Sequence, residues 1–418
     1  MKYIFTIGII FHFLLSSYGQ TENQFQLKAE EYSQIPDKLG LAGSFSGLIG
    51  EKNNMLLVAG GANFAPPVWE STKAYYDRIY VGRLGKSGIE WLDIEETLAH
   101  AIGYGSSVSV DGGLICMGGH NSEQVFDEVF LLQWIEHEKR IKIVSLPSLP
   151  QPATHGGSAL IGNYIYYACG QSGLGLESAT KNLWRLDISD LSDFSGRSWE
   201  VLPALPGPSR AVHIVASQYN GRNEALYVIS GRRIKDHYQG SEPYEFLKDV
   251  WEFDPSKLEG QEDPWSTKSD APVRLMGAPT AAYGQSHIFV LGGADGSLIY
   301  QNDSLRDLHP GFPKKAWAYH TITDSWIPLG DIPLNLVTGN AVVWGDDILV
   351  PSGEMRPRVR SPKIFKYSLE QAPFSFGWLN YLTLIIYLIA MLLVGVYFTR
   401  RNKNTNDFFR GGQRIPWW

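Results

Sequence analysis

The chain has 418 residues, 44% of them hydrophobic, with 43 glycines and 13 tryptophans, a composition that suits a packed, turn-rich globule and excludes a disordered one. A formal net charge of −7, without long runs of like charge, excludes the basic footprint of a nucleic-acid binder. Two cysteines exclude a disulfide framework, and their spacing from the following glycines puts Cys116 and Cys169 on opposite sheet faces, as core residues rather than a pair.

In chain order, Met1–Leu15 carries one lysine and then an apolar run, and Ser17-Tyr18-Gly19 follows it. This is the pattern of a secretory signal peptide with cleavage after Gly19; uncleaved, the same run would be a membrane anchor. From about Gln24 to Leu369 one phrase recurs: an apolar strand, a Gly or Gly-Gly, and a polar loop. The copies are Met55–Gly61, Leu114–Gly119, Tyr164–Gly170, Ala225–Gly231, His287–Gly293 and Ile348–Gly353, with first glycines spaced at 58, 52, 61, 61 and 61 residues. An aromatic strand such as Asp249–Asp254 follows, then a tryptophan strand closing in prolines such as Ser325–Pro333. Six copies of a four-stranded unit predict an all-β, six-bladed propeller of the Kelch type over residues 24–370. The glycines are expected to let inner strands approach closely near the axis. Phe25–Pro36 is a stray fourth strand, expected to pair with Lys363–Ser368 and close the ring.

Such topology brings two sets of loops to one mouth: those after the glycines and those before each first strand. On that face the strand ending at Gly353 is followed by a loop with the densest ionic cluster, Glu354 with Arg356, Arg358 and Arg360. A carboxylate can carry protons and arginines bind carboxylates bidentately. The plain alternative is a surface salt bridge of about 0–1 kcal/mol. Asn63 and Phe64, His120 and Asn121, Gln171 and Ser172, Arg232 and Arg233, and Asp295 suit a hydroxylated ligand, although each alone is more often a turn former. Arg210, His155 and His213 lie before first strands, the two histidines at equivalent positions where bonding to backbone is the plain expectation. No His/Cys/Asp spacing proposes a metal or other cofactor, which leaves little room for a copper-radical oxidase.

Trp378–Phe398 is uncharged and long enough to cross a bilayer, and Thr399–Lys403 after it is basic. Basic flanks favour the cytoplasmic side, so an extracytoplasmic domain on a C-terminal transmembrane helix is expected, with residues 399–418 inside.

Gly353-Glu354 followed six residues later by Arg360, ahead of Ile364–Tyr367, resembles the N-acetylneuraminate epimerases (sialic acid mutarotases), six-bladed Kelch propellers of the periplasm. Ile35–Gly47 running into Gly60–Phe64, and Tyr104-Gly105 before Gly118-Gly119, are similar to that family's late blades but stand first here, as in its cyclically permuted form. The resemblance implies an isomerase that interconverts the α and β anomers of N-acetylneuraminate without a cofactor. Glu354 would be the proton acceptor and Arg360 its partner, with Arg356, Arg358, Asn63, Arg210 and His155 expected at the substrate. One departure is that Ala101–Tyr104 lacks the arginine that precedes this tyrosine in familiar members. Asn380–Phe398, Arg400–Lys403 and Asp407–Trp418 resemble the first helix and following loop of sodium/solute symporters. Together these imply a mutarotase domain fused to the opening of a truncated sialic acid symporter, held at the inner membrane, with a sialic acid transporter as partner. The competing expectation is a membrane-anchored Kelch propeller whose mouth binds glycan or protein without catalysis.

Overall fold

The computed structural model describes residues 25–260, 262–371 and 377–401. The expected signal peptide and most of the expected cytoplasmic segment lie outside the described residues. Residues Phe25–Glu370 form one compact unit, and the C-terminal helix belongs to a second.

The first unit is a six-bladed propeller of four-stranded sheets. Blade I contains Phe45–Ile49, Met55–Ala59, Ile79–Gly85 and Gly88–Leu92, and blade II contains Ser106–Val110, Gly113–Met117, Val129–Ile135 and Arg140–Leu146. Blades III, IV and V begin at Gly157–Ile161, Ile214–Tyr219 and Thr280–Tyr283. Blade VI takes Val342–Trp344, Asp347–Arg356 and Val359–Gln371 from the end of the chain and Phe25–Gln34 from its beginning, in that order outward. The closure expected from the sequence is therefore present. Lys28–Glu370, Lys366–Glu30 and Lys363–Glu31 ion pairs line the seam at 3.1, 2.5 and 2.6 Å.

Second strands read as unbroken apolar runs because both of their faces are covered. In Met55–Ala59, Met55, Leu57 and Ala59 pack toward blade II, while Leu56 and Val58 pack toward blade VI. Among the described residues the blades are separated by six apolar clusters, each between two adjacent blades, and a small seventh cluster joins Ala42, Ala62 and Tyr104. Cys116 and Cys169 are buried free thiols in two different clusters.

The recurrent glycines answer a conformational demand as well as a steric one. The apolar run of each second strand is followed by two consecutive left-handed residues, such as Gly118-Gly119 (φ 56° and 110°) and Ser352-Gly353 (φ 64° and 141°). The second position is glycine in every blade, whereas the first admits Cys169, Ser230 and Ser352. A Cβ on Gly118 would also lie 2.1 Å from the Ala153 carbonyl oxygen.

One residue from the segment entering each blade joins a closed ring of backbone hydrogen bonds. Gly43 donates to Thr338, Thr338 to Gly277, Gly277 to Val212, Val212 to His155, His155 to Tyr104 and Tyr104 to Gly43, all at 2.7–2.9 Å. All six have φ between 52° and 65°. The ring satisfies donors and acceptors that would otherwise be orphaned at the centre of the molecule.

The second unit's described part is the helix Trp378–Arg401, 24 residues long with exposed apolar side chains. At 1.5 Å per residue it is about 36 Å long, enough to cross a hydrocarbon core of about 30 Å. Trp378–Tyr397 is thus a candidate membrane span.

Candidate active site

The ionic cluster sits on a hairpin rather than a loop. The strands Asp347–Arg356 and Val359–Gln371 continue past Gly353, with Glu354 opposite Arg360 and Arg356 opposite Val359, through register shifts at Ser352 and Met355. The turn falls at Pro357-Arg358, where Arg358 has φ 66°. Ser352 explains how the hairpin tolerates its bulge. Its hydroxyl accepts from Leu41 N–H at 2.8 Å and lies 2.7 Å from the Ser361 carbonyl oxygen, while Glu354 and Val337 exchange backbone hydrogen bonds of 2.8 and 3.0 Å.

Glu354 Oε1 accepts from Arg360 Nη1 at 3.2 Å and from the Arg358 backbone N–H at 2.8 Å. The Arg360 side chain is 2% exposed and that of Glu354 19%, so this is not the solvated surface pair of the plain alternative. Arg360 Nη2 donates to the Tyr104 hydroxyl at 3.2 Å, and its guanidinium lies 4.9 Å from the Phe64 ring centre. Burial works against the Arg360 charge, but Glu354 and Tyr104 outweigh it and raise its pKa. The carboxylate is therefore anchored on one side and open to the mouth on the other.

The other two arginines of the hairpin brace it. Arg358 donates to the Val68 and Ser71 carbonyl oxygens at 3.1 and 3.3 Å and stacks near Phe64 and Trp69. Arg356 reaches outward, to Asp307 at 2.9 Å and the Arg306 carbonyl oxygen at 3.2 Å. The two anchor points lie on different insertions, Phe64–Tyr75 of blade I and residues 295–314 of blade V. Arg358 lines the mouth and Arg356 does not.

The mouth encloses about 720 Å³ between these insertions, with Glu354, Arg358, Arg360, Arg232, Asp295 and Asn302 on its walls. Tyr104, His155, Val212 and Thr338, members of the backbone ring, form its floor and also cap an axial channel of about 340 Å³ on the other side. Beneath Glu354, Tyr104 stacks on His120 at 5.0 Å and 15°, His155 lies 4.9 Å from Tyr104, and Lys73 Nζ is 4.8 Å from the Tyr104 ring centre. Burial, reinforced by Lys73, lowers His120 to about 4, and burial with His120 holds His155 well below the ordinary histidine range. Both are neutral at pH 7.

Three of the seven residues expected at the site are occupied elsewhere: Arg356, with Asp307, and Asn63 and Arg210. Asn63 is buried, donating to the Gly40 carbonyl oxygen at 3.1 Å and accepting from the Tyr76 hydroxyl at 2.8 Å, so it ties the blade I insertion to the first blade's entry. Arg210 is fully buried and grips Asp249 at 2.8 and 2.6 Å, with Ser230 O at 2.9 Å, away from the mouth. Its sequence position suited the mouth, but Asp249 draws its guanidinium into the core. His155 lines the mouth at its floor. Its equivalent in the next blade is Val212, because His213 lies one step past the ring and bonds the Ala168 carbonyl oxygen at 3.1 Å. The wall residues Trp69, Lys73, Asn302 and His309 were not singled out from sequence. The available signal was loop length, since the connections after Gly61, Gly231 and Gly293 are the longest of the post-glycine loops.

No family model matches the chain. It is 22% identical over 246 residues to the N-acetylneuraminate epimerase of Salmonella typhimurium, covering 53% of this chain and 58% of that protein. Over 43 residues it is 60% identical to the sodium/sialic acid symporter SiaT of Proteus mirabilis, covering 10% of this chain and 9% of that protein. The solved structure of YjhT superposes with a TM-score of 0.57 at 15% identity, over 81% of this chain and 99% of that one, a likeness of fold. Both resemblances read from the sequence recur in these matches, and the chain spans little more than half of the epimerase and a small part of the symporter.

Proposed function

We propose that residues 24–370 form a mutarotase that interconverts the α and β anomers of N-acetylneuraminate. The observation that carries this reading is Glu354, held by the buried Arg360 and presented on the wall of the mouth. Similarity to proteins named N-acetylneuraminate epimerase supports the substrate class.

Glu354 takes the proton from the anomeric hydroxyl while a proton is delivered to the ring oxygen. The bond between that oxygen and the anomeric carbon breaks, leaving an open-chain keto acid. Rotation presents the other carbonyl face, the hydroxyl re-adds, and the protons return by the reverse route. One carboxylate toggling its proton, aided by water, serves both ends. Arg360 stabilises charge as it develops. The Tyr104 hydroxyl accepts from Arg360, which leaves its own hydrogen for a ligand oxygen.

The helix Trp378–Arg401 then serves as a tether, with the propeller outside the cytoplasmic membrane beside sialic acid uptake; similarity to a sialic acid symporter supports this placement. The test follows freshly released α-N-acetylneuraminate by proton NMR, with the full chain in detergent. Acceleration by the wild type that disappears in Glu354→Gln supports the enzyme. A wild type that matches the spontaneous rate refutes it and leaves glycan or protein binding at the same mouth.

A further inference from the structure

The three arginines of the 354–360 hairpin could each bind a carboxylate, but each is already engaged. Arg360 is paired with Glu354, Arg358 with two carbonyl oxygens and two aromatic rings, and Arg356 with Asp307 outside the mouth. Arg232, on the neighbouring wall, is the exception among the arginines lining the mouth. Its backbone is fixed by a pair of 3.0 Å hydrogen bonds with Ala211, and its guanidinium lies 5.7 Å from the Tyr244 ring centre. Its Nε is buried with no hydrogen-bond partner, as is that of Arg360, but unlike Arg360 it has no carboxylate of the described residues within ion-pair distance.

We propose that Arg232 is the receptor for the carboxylate of the acidic sugar, an assignment that rests on the mutarotase reading. Arg232 is half-buried; its guanidinium remains charged at neutral pH, and its planar fork matches a carboxylate. Unlike Arg360 it has no anion of its own, and the cations lining the mouth outnumber its carboxylates, so the free site favours an incoming anion. Glu354 and Arg360 already neutralise each other. An incoming carboxylate therefore completes Arg232 without disturbing the pair that carries the proton.

The chemistry gives that placement a purpose. The carboxylate is bonded directly to the anomeric carbon, so fixing it fixes the anomeric hydroxyl and ring oxygen relative to Glu354. It persists through the open form. An anchor there holds the reacting carbon while the rest of the chain swings to present its other face, and it serves both anomers. Lys73 and Lys314 also line the mouth, but Lys314 is exposed, Lys73 lies against the Tyr104 ring, and neither ammonium offers the planar fork.

The test compares N-acetylneuraminate with its methyl ester, which is neutral at the same carbon, using the full chain in detergent. Mutarotation rates by NMR and affinities by calorimetry are measured for wild type, Arg232→Gln, Arg232→Lys and Lys73→Gln. The wild type is expected to prefer the acid over the ester by about 100-fold. In Arg232→Gln that ratio falls toward one, in Arg232→Lys it is intermediate, and in Lys73→Gln it is retained. An Arg232→Gln protein that keeps the wild-type ratio overturns the assignment, as does a Lys73→Gln protein that loses it. If Arg232→Gln does not fold, an unchanged ratio in Arg232→Lys overturns it equally. A wild type that binds the acid selectively without turnover refutes the mutarotase while the affinity ratios still judge Arg232; one that binds neither compound overturns both.

Discussion

At the scale of single residues, the asymmetry of the Glu354–Arg360 pair sets the outcome of breaking it. The arginine is nearly inaccessible and the glutamate faces the mouth, so losing the carboxylate strands a buried cation. Glu354→Ala is expected to lower stability by about 3–5 kcal/mol. Arg356→Ala, which breaks a pair whose acid, Asp307, is 69% exposed, should change it by less than about 1 kcal/mol. Urea unfolding of both variants checks the contrast, and equal losses would contradict it. His120 supplies a second expectation. Its pKa is lowered from 6.5 to about 4 by burial and Lys73, so the unfolded chain takes up the proton first as pH falls. Above about pH 6.5 the histidine contributes nothing to the pH dependence, and between pH 6.5 and 4 stability is lost. His120→Gln, which can still bond Thr154, should reduce that loss by roughly 3 kcal/mol, read from unfolding curves at the two pH values. Glu354 and its partner were legible in the sequence because they lie six residues apart on one hairpin. Arg210 and Asn63 were misplaced because their partners, Asp249 and Gly40, come from distant segments that only the fold brings near.

At the scale of elements, the hairpin 347–371 is positioned by its own side chains. Its arginines diverge: Arg360 toward the floor, Arg358 toward the blade I insertion and Arg356 toward the blade V insertion. If Arg358 braces the hairpin, Arg358→Ala should cost about tenfold or more in the mutarotation rate while the Glu354–Arg360 pair remains, because a small misplacement of a catalytic group is expensive. Arg358→Lys, which cannot donate to two carbonyls while stacking on two rings, should recover little of it. Recovery by lysine would mean that charge alone matters. Strand existence was plain from apolar runs ending in glycine, including the one leading into this hairpin. Its continuation past Gly353 was not, because the left-handed Ser352-Gly353 pair reads as a strand end and only the Glu354–Arg360 register carries the ladder across it.

At the scale of the whole molecule, six blades were countable because each repeats one burial problem: a second strand that must be apolar on both faces. The ring of six backbone hydrogen bonds was not legible, since its members are Gly, Tyr, His, Val, Gly and Thr and share a conformation rather than a side chain. Both features make the blades interdependent, and the seam in blade VI is where that dependence can be tested. Tyr32 on Phe25–Gln34 reaches the Gly85 and Gly88 carbonyl oxygens of blade I, so this strand links the last blade to the first as well as completing a sheet. Deleting it exposes a sheet edge and the cluster shared by Tyr32, Leu56 and Ile364. At roughly 0.2–1 kcal/mol per cross-strand pair, ten residues amount to about 5 kcal/mol, or a fall in Tm on the order of 10 °C. Closure depends on the strand being present, not on its being first. The ion-pair register, Lys28 with Glu370 and Glu31 with Lys363, runs antiparallel and brings the start of the strand near Gln371. A permuted chain with residues 25–34 joined by a short turn behind Gln371 should therefore regain most of the lost Tm, by calorimetry. If deletion leaves Tm unchanged, or permutation fails to restore it, the N-terminal strand is not what closes the ring.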